Sequence, residues 1–432
     1  MTRAFVSISV SLCMAAIVVG AEGELFDELI RVEEHPKRDD SENWPRFRGP
    51  NGDGLSRARN LPDKWSESEN IRWKTPIHDK GWSSPVIWGE QIWVTTATAD
   101  GKEYFAIALE RSSGKIIHDL KLFTVDKPAH CDPYNSYASP TPAVEQDRLY
   151  FHFGSYGSGC LDTNTGKTLW LRRDLPCNHH RGPGSSPVVW KNLVFLTFDG
   201  FDRQYVTALD KTTGRTVWKK DRTIQYGTDN GDYKKAYSTP SVFTINGKPQ
   251  LVSPAAMATI AYQPEDGEEI WRVYHGGMNE AVQPSFGNDL IYVSSGHTPS
   301  ILAVKAGQTG DLTKTGVTWR TPKGAPTRST PVLYGELLFM VSDLGVASCL
   351  DAKTGKQIWQ ERVGRATCSS PILADGKLYL FDEEGRGYVV AASREYKLLA
   401  TNTLDAGCMA TPAIALDAIY VRTKKHLYCI GK

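Results

Sequence analysis

CLDTNTGKTLW at residues 160–170 and CLDAKTGKQIW at residues 349–359 are one phrase written twice, 189 positions apart. Both open on Cys-Leu-Asp, turn on Thr-Gly-Lys and close on Trp. Recurrence of this kind signals a repeat architecture. ALDKTTGRTVW (208–218), AYQPEDGEEIW (261–271) and, with an insertion, AVKAGQTGDLTKTGVTW (303–319) are further copies. ALERSSGKII (108–117) has lost its Trp, and VAASREYKLLA (390–400) has lost both turn and Trp.

A second signal, Ser/Ala-Ser/Thr-Pro before an apolar pair, recurs at Pro85, Pro142, Pro187, Pro240, Pro331, Pro371 and Pro412, with a weaker copy, VQPSF, at Pro284. Between the two signals lies an aromatic-rich run such as RLYFHFG or KLYLFD. One repeat is therefore four strands. Strand A follows the Pro, where a missing N–H is tolerated. B is the aromatic run, C carries the small-residue end of the phrase, and D follows the Gly turn and holds the Trp. Four-stranded units of about 40–50 residues are propeller blades. The last repeat ends at Lys432 without a D strand, and NIRWKTPI (70–77) supplies a D-like pattern. The fold expected is all-β: an eight-bladed propeller of four-stranded antiparallel blades over residues 65–432, its ring closed by the N-terminal strand. Trp73, Trp170, Trp218, Trp271, Trp319 and Trp359 are expected to dock blade on blade, each burying about 150–250 Å².

Arg3, the apolar run from Ala4 to Val19 and the small residues ending at Ala21 read as an export signal over 1–21. Residues 22–64 read as an N-terminal extension and linker, helical only over 25–32. Periplasmic or secreted localisation follows from cleavage near Ala21. The remaining chain has 49 basic and 49 acidic residues, which excludes a dedicated nucleic-acid binder with a basic surface field. No apolar run is long enough to span a bilayer, and a monomer is expected. Of the eight cysteines, seven remain after cleavage. Cys160, Cys349 and Cys429 fall in strands as small apolar residues. Cys131, Cys177, Cys368 and Cys408 fall in loops, and adjacent blades place Cys368–Cys408 and Cys131–Cys177 within bridging range. No Cys/His spacing indicates a metal.

The recurring phrase resembles the tryptophan-docking motif of the PQQ-binding-like β-propeller family, and the resemblance covers nearly all of 65–432. That family includes quinoprotein alcohol dehydrogenases and BamB, the propeller lipoprotein of the outer-membrane barrel-assembly machinery. NWPRFRGPNGDGLS (43–56) resembles a segment that often precedes such propellers in planctomycete-type bacteria. The resemblance implies the ring. A dehydrogenase of this family would also bring a stacking Cys-Cys pair and a Glu, Asn and Asp set around calcium. The chain has no Cys-Cys pair, so PQQ with calcium is disfavoured.

The expected role is a binding scaffold for an envelope protein or small ligand. A PQQ-dependent dehydrogenase and a polysaccharide hydrolase or lyase are the alternatives. Residues just before each A strand converge on the propeller axis: Trp82, Tyr137, Arg181, Tyr237, Asn279 and Arg328, with Cys368 and Met409. Aromatic faces and arginines there would suit a planar or anionic ligand. His179 and His180, beside Arg181, are further binding candidates, with imidazole available for acid–base work. Asp199, Asp202 and Arg203, the Asp382–Arg386 turn and TDNGD (228–232) offer carboxylates for a cation, read chiefly as soluble turns.

Overall fold

The computed structural model describes residues 42–321 and 324–432. The export signal and the 25–32 helix lie outside these residues. Among the described residues the regular structure is β, apart from one 3-10 turn at Gly231–Lys234. Eight antiparallel blades form the propeller. Blade two is typical: A is Ala143–Glu145, B Arg148–His152, C Ser158–Asp162 and D Thr168–Arg172. Blade eight has A, B and C at Ala413–Ala415, Ala418–Arg422 and His426–Ile430, and its D strand is Ile71–Pro76. The ring is thus closed by the N-terminal strand, with Thr75 opposite Leu427 and Trp73 opposite Cys429.

Each letter of the repeated phrase has a physical task. Trp170 pairs across the blade with Cys160, Trp359 with Cys349, Trp218 with Ala208 and Trp319 with Ala303. The small residue leaves room for the indole, and the register shifts beside each of these pairs. Asp162 accepts from the N–H groups of Asn164 and Thr165 and from the Thr165 hydroxyl (3.0, 2.8 and 2.9 Å), closing the C–D turn. Those bonds hold its carboxyl below the ordinary range. The Gly supplies positive φ, +72° at Gly166 and +71° at Gly214. It also gives space to the preceding blade's indole: a Cβ on Gly214 would lie 2.6 Å from Trp170, and one on Gly355 would lie 2.6 Å from Trp319. The indole N–H then donates to the carbonyl three residues before that Gly: Trp73 to Arg111 (2.9 Å), Trp170 to Lys211 (3.0 Å), Trp218 to Pro264 (2.9 Å) and Trp319 to Ala352 (3.0 Å). Trp271 departs from the pattern and donates to Gln250 Oε1 within its own blade at 2.9 Å. Blade one lacks the Trp, and Leu120 takes its place against Gly166.

The Ser/Thr-Pro signal is explained at the axis. Ser84 N donates to Thr141 Oγ1, Thr141 N to Ser186 Oγ and Ser186 N to Thr239 Oγ1, each at 2.9 Å. The chain of bonds resumes from Gln283 through Thr330 and Ser370 to Thr411, at 3.0, 2.9 and 2.9 Å. The residue before the axial Pro therefore hands its N–H to the hydroxyl of its counterpart in the next blade, which satisfies groups that would otherwise be buried and unpaired.

Part of the stretch expected to be linker is built into the ring. Trp44 is fully buried and exchanges backbone hydrogen bonds with Ile87 of blade one (3.0 and 2.8 Å). Pro45 O accepts from Val144 of blade two at 2.7 Å. The buried Arg48 guanidinium donates to the carbonyls of Thr330 (3.0 Å) and Pro331 (2.8 Å), between blades six and seven. Leu55–Ser56 then runs parallel to the A strand of blade seven, Ile372–Ala374. The segment crosses the axis and plugs one end of the channel.

Candidate functional site

With that end closed by the plug, the opposite face is a funnel. D–A connections and B–C loops of the blades form its rim, and a cavity of about 300 Å³ lies inside. Phe47 of the plug and the axial hydroxyls, Ser84, Thr141, Ser186 and Thr239 among them, form the base. The wall carries Arg181, Tyr237, Asn279, His297 and Arg328.

Seven of the eight residues expected to ring the opening line the cavity: Trp82, Arg181, Tyr237, Asn279, Arg328, Cys368 and Met409. Tyr137 does not. Its ring covers Gly101 and joins Tyr104 and Tyr156, while its hydroxyl donates to Ala129 O at 2.7 Å. Nor do the two histidines. His179 Nε2 accepts from Ser155 N at 3.0 Å, and burial lowers its pKa to about 4. It is a neutral acceptor that ties its loop to blade two, which takes it out of acid–base work. His180 sits at φ +60°, with its ring 5.3 Å from Phe201.

The two expected disulfides are also corrected: all four loop cysteines are free thiols. Cys131 packs toward Gly182 and Cys177 toward Gly200, so these thiols are seated under different turns. Cys368 opens on the funnel, whereas Cys408 is fully buried. The carboxylates considered for a cation are spent locally. Asp199 forms a buried bidentate pair with Arg222 (2.9 and 2.7 Å). Asp382 caps its own turn, accepting from the N–H groups of Glu384 and Arg386 at 3.0 and 2.9 Å. Within 228–232, Asn230 caps the 3-10 turn and Asp232 pairs with the buried Lys235.

Sequence reasoning missed Asp132, Tyr134, Asn135 and His297. The first three lie on the loop between blades one and two, which forms a strap over the funnel. At its root, Trp82 Nε1 donates to Tyr134 O (3.1 Å) and Lys80 Nζ to Pro133 O (2.7 Å). Asn135 Nδ2 donates to Arg181 O at 2.9 Å. At its tip, the Tyr134 hydroxyl donates to Glu383 of blade seven and accepts from Arg328 Nη1 at 2.9 Å. The Arg328 guanidinium lies 4.4 Å from the centre of the Tyr134 ring. The stretch HCDPYNSY (130–137) is polar along its length, but its reach across the ring depends on closure.

The electrostatics of the wall are positive. Arg181 has Asp132 at 3.8 Å, and Arg328 has Asp343 at 3.9 Å. These separations exceed those of close charge-assisted pairs. His297 lies within reach of both cations: its pKa is lowered by burial first, then by Arg328 and Arg181.

The profile of the outer membrane protein assembly factor BamB family matches residues 65–253 and 256–430. The chain belongs to this family. Among its relatives, tetrathionate hydrolase of Acidithiobacillus ferrooxidans is 24% identical over 285 residues, covering 63% of this chain and 52% of the relative. Quinoprotein alcohol dehydrogenase PedH of Pseudomonas putida is 32% identical over 191 residues, covering 40% of this chain and 28% of PedH. The chain therefore spans about half of one curated relative and about a quarter of the other. BamB from Moraxella catarrhalis shares the fold with a TM-score of 0.58 at 11% identity, over 83% of this chain and 99% of that one. Quinohemoprotein alcohol dehydrogenase from Comamonas testosteroni shares it with a TM-score of 0.67 at 11% identity, over 96% and 85%. No helix among the described residues is long and apolar enough to cross a membrane.

The quinoprotein likeness makes PQQ over calcium the cofactor to test against this BamB-family funnel. Calcium takes six to eight oxygen ligands, with carboxylates prominent among them. The cavity lining holds one carboxylate, Asp132, which faces Arg181. Among the described residues, no group of three or more His, Cys, Asp or Glu converges to hold a metal. This donor set does not fit a calcium-held quinone.

Proposed function

We propose that this BamB-family propeller is a periplasmic binding protein whose funnel takes a small organic anion. The observation that carries the reading is the placement of Arg181 and Arg328 on one cavity wall, each with its nearest carboxylate at 3.8–3.9 Å. Guanidinium groups recognise carboxylates through paired hydrogen bonds. Trp82 and Tyr134 line the same space and would offer planar faces to an aromatic or unsaturated body. The volume, about 300 Å³, corresponds to about ten water molecules, which suits a compact molecule rather than a polymer. An envelope protein that docks on the same rim would deliver or receive the ligand.

Isothermal titration of the mature chain with phenylacetate, mandelate and N-acetylphenylglycine tests the reading. Saturable binding is expected. The Arg181→Ala/Arg328→Ala double variant should weaken it at least about a hundredfold, since each charge-assisted contact contributes about 1.5–3 kcal/mol. Its folding stability should stay within about 2 kcal/mol of the parent, because polar surface changes rarely cost more. Absence of saturable binding in the parent, or unchanged binding in the double variant, would overturn the reading.

A further inference from the structure

The wall between the two arginines contains polar atoms that the chain leaves unpaired. Asn279 is only 7% exposed, and its Oδ1 has no hydrogen-bond partner. The Tyr237 hydroxyl is likewise buried and unpartnered. Both residues line the funnel. An unpaired buried polar group costs about 1–3 kcal/mol, and of the buried side-chain atoms left unpaired among the described residues these two belong to residues that line the funnel. Two on one cavity wall point to a ligand that supplies their partners.

Backbone hydrogen bonds hold both residues at the wall. Asn279 N donates to Lys235 O at 2.8 Å, and Tyr237 N donates to Glu280 O at 2.6 Å, so the two D–A connections are stitched together behind the wall. Asn279 has φ +55°, a left-handed conformation that Asn tolerates better than most residues. His297 N donates to Met278 O at 2.9 Å, bringing the imidazole beside the carboxamide. Burial and the two arginines favour neutral His297, so its Nδ1 can accept from Asn279 Nδ2, 3.4 Å away. With Nδ2 so engaged, Oδ1 is the atom left over. It is an acceptor and requires a donor.

We infer that the funnel is built for a carboxylate bearing an O–H or N–H on the adjacent carbon, a 2-hydroxy or 2-acylamino acid. The arginines would take the carboxylate, Tyr237 would donate to one of its oxygens, and Asn279 Oδ1 would accept from the substituent. This rests on the anion-binding reading above and adds the second recognition element. The substituent could belong to a free hydroxy acid or to the C-terminus of a peptide. The shared chemistry is the carboxylate with its neighbouring donor.

The test compares phenylacetate, which has the charge and the ring but no donor, with mandelate and N-acetylphenylglycine, titrated into the full mature chain. At least one donor-bearing acid should bind about tenfold tighter than phenylacetate, the effect of one good hydrogen bond to a buried acceptor. Preference for mandelate identifies the hydroxy-acid source, and preference for N-acetylphenylglycine identifies the peptide-like source. Asn279→Gly, which keeps the positive φ at no steric cost, should erase the preference, so that within this variant the donor-bearing acids bind no tighter than phenylacetate. Tyr237→Phe should weaken all three acids alike. Equal affinities for all three acids in the parent, or a preference that survives Asn279→Gly, would overturn the inference. The anion-binding reading would survive that result as long as phenylacetate binding still depends on Arg181 and Arg328. A melting curve for each variant separates lost recognition from lost fold.

Discussion

Adding one methyl group to Gly214 should disturb two blades at once. The position has φ +71°, which costs an alanine about 1 kcal/mol. The new Cβ would also lie 2.6 Å from Trp170 Cε3 and 2.7 Å from its Cδ2, well inside contact distance, so the indole must leave its seat. With it goes the 3.0 Å bond from Nε1 to Lys211 O, worth about 1 kcal/mol, and part of the packing of a 9% exposed Trp. Gly214→Ala should therefore cost about 3 kcal/mol, and Trp170→Ala about 3–5 kcal/mol. The two are not additive. Once the indole is gone, the methyl group meets no ring and only the backbone cost of about 1 kcal/mol remains. The double variant should thus be about 2 kcal/mol more stable than the sum of the single effects. Urea unfolding at constant m-value measures all four corners of the cycle. Additivity within about 0.5 kcal/mol would refute the docking account of the repeated phrase. Gly166→Ala provides a control, because there the neighbour is the pliable Leu120 side chain, 3.0 Å from the added atom; its cost should be smaller.

Deleting residues 65–77 should strip blade eight of its D strand and expose the edge of His426–Ile430, a template for self-association; a truncated chain that elutes as a monomer and melts like the parent would contradict ring closure. Acid should unfold the protein through its buried imidazoles. Burial lowers the pKa of His152 to about 3 and that of His275 to about 4, whereas an unfolded His titrates near 6.5. Their contribution is complete above about pH 6.5 and is lost as pH falls toward the folded values, on the order of 3 kcal/mol each by about pH 4. A His152→Gln variant should therefore lose less stability than the parent between about pH 7 and pH 4.5, and identical pH slopes would argue against this. Among the described residues, thiol labelling of the native protein should modify the half-buried Cys131 and Cys368 first and reach the five buried cysteines only after unfolding; a peptide map showing Cys368 joined to Cys408 would contradict the free-thiol arrangement.

The parts of the site that could be read in advance are those tied to the repeat. Arg181, Tyr237, Asn279 and Arg328 each stand two or more residues before an axial Pro, and the ring brings every such position to one opening. Tyr137 occupies a comparable offset yet turns outward, because Tyr104 and Tyr156 offer its ring an aromatic cluster and Ala129 O takes its hydroxyl. His179 looked like an acid–base group from its polar surroundings, but the fold covers it and gives its Nε2 a backbone N–H. Burial, which sequence proximity does not report, reversed that reading.

The sequence by itself determined the architecture: the Trp, the small residue opposite it, the Asp that caps the turn and the Gly that admits the next indole are local requirements, repeated until the ring is counted. Even the missing eighth D strand was legible, because its pattern occurs at the other end of the chain. What only the tertiary structure decided is which residues from distant blades share one cavity. Tyr134 meets Glu383 and Arg328 across 249 and 194 positions of chain, and Phe47 reaches the funnel base only because Arg48 anchors the plug to carbonyls more than 280 residues away. No local pattern encodes such meetings. They follow from closing eight blades on one axis, where sequence distance no longer measures separation.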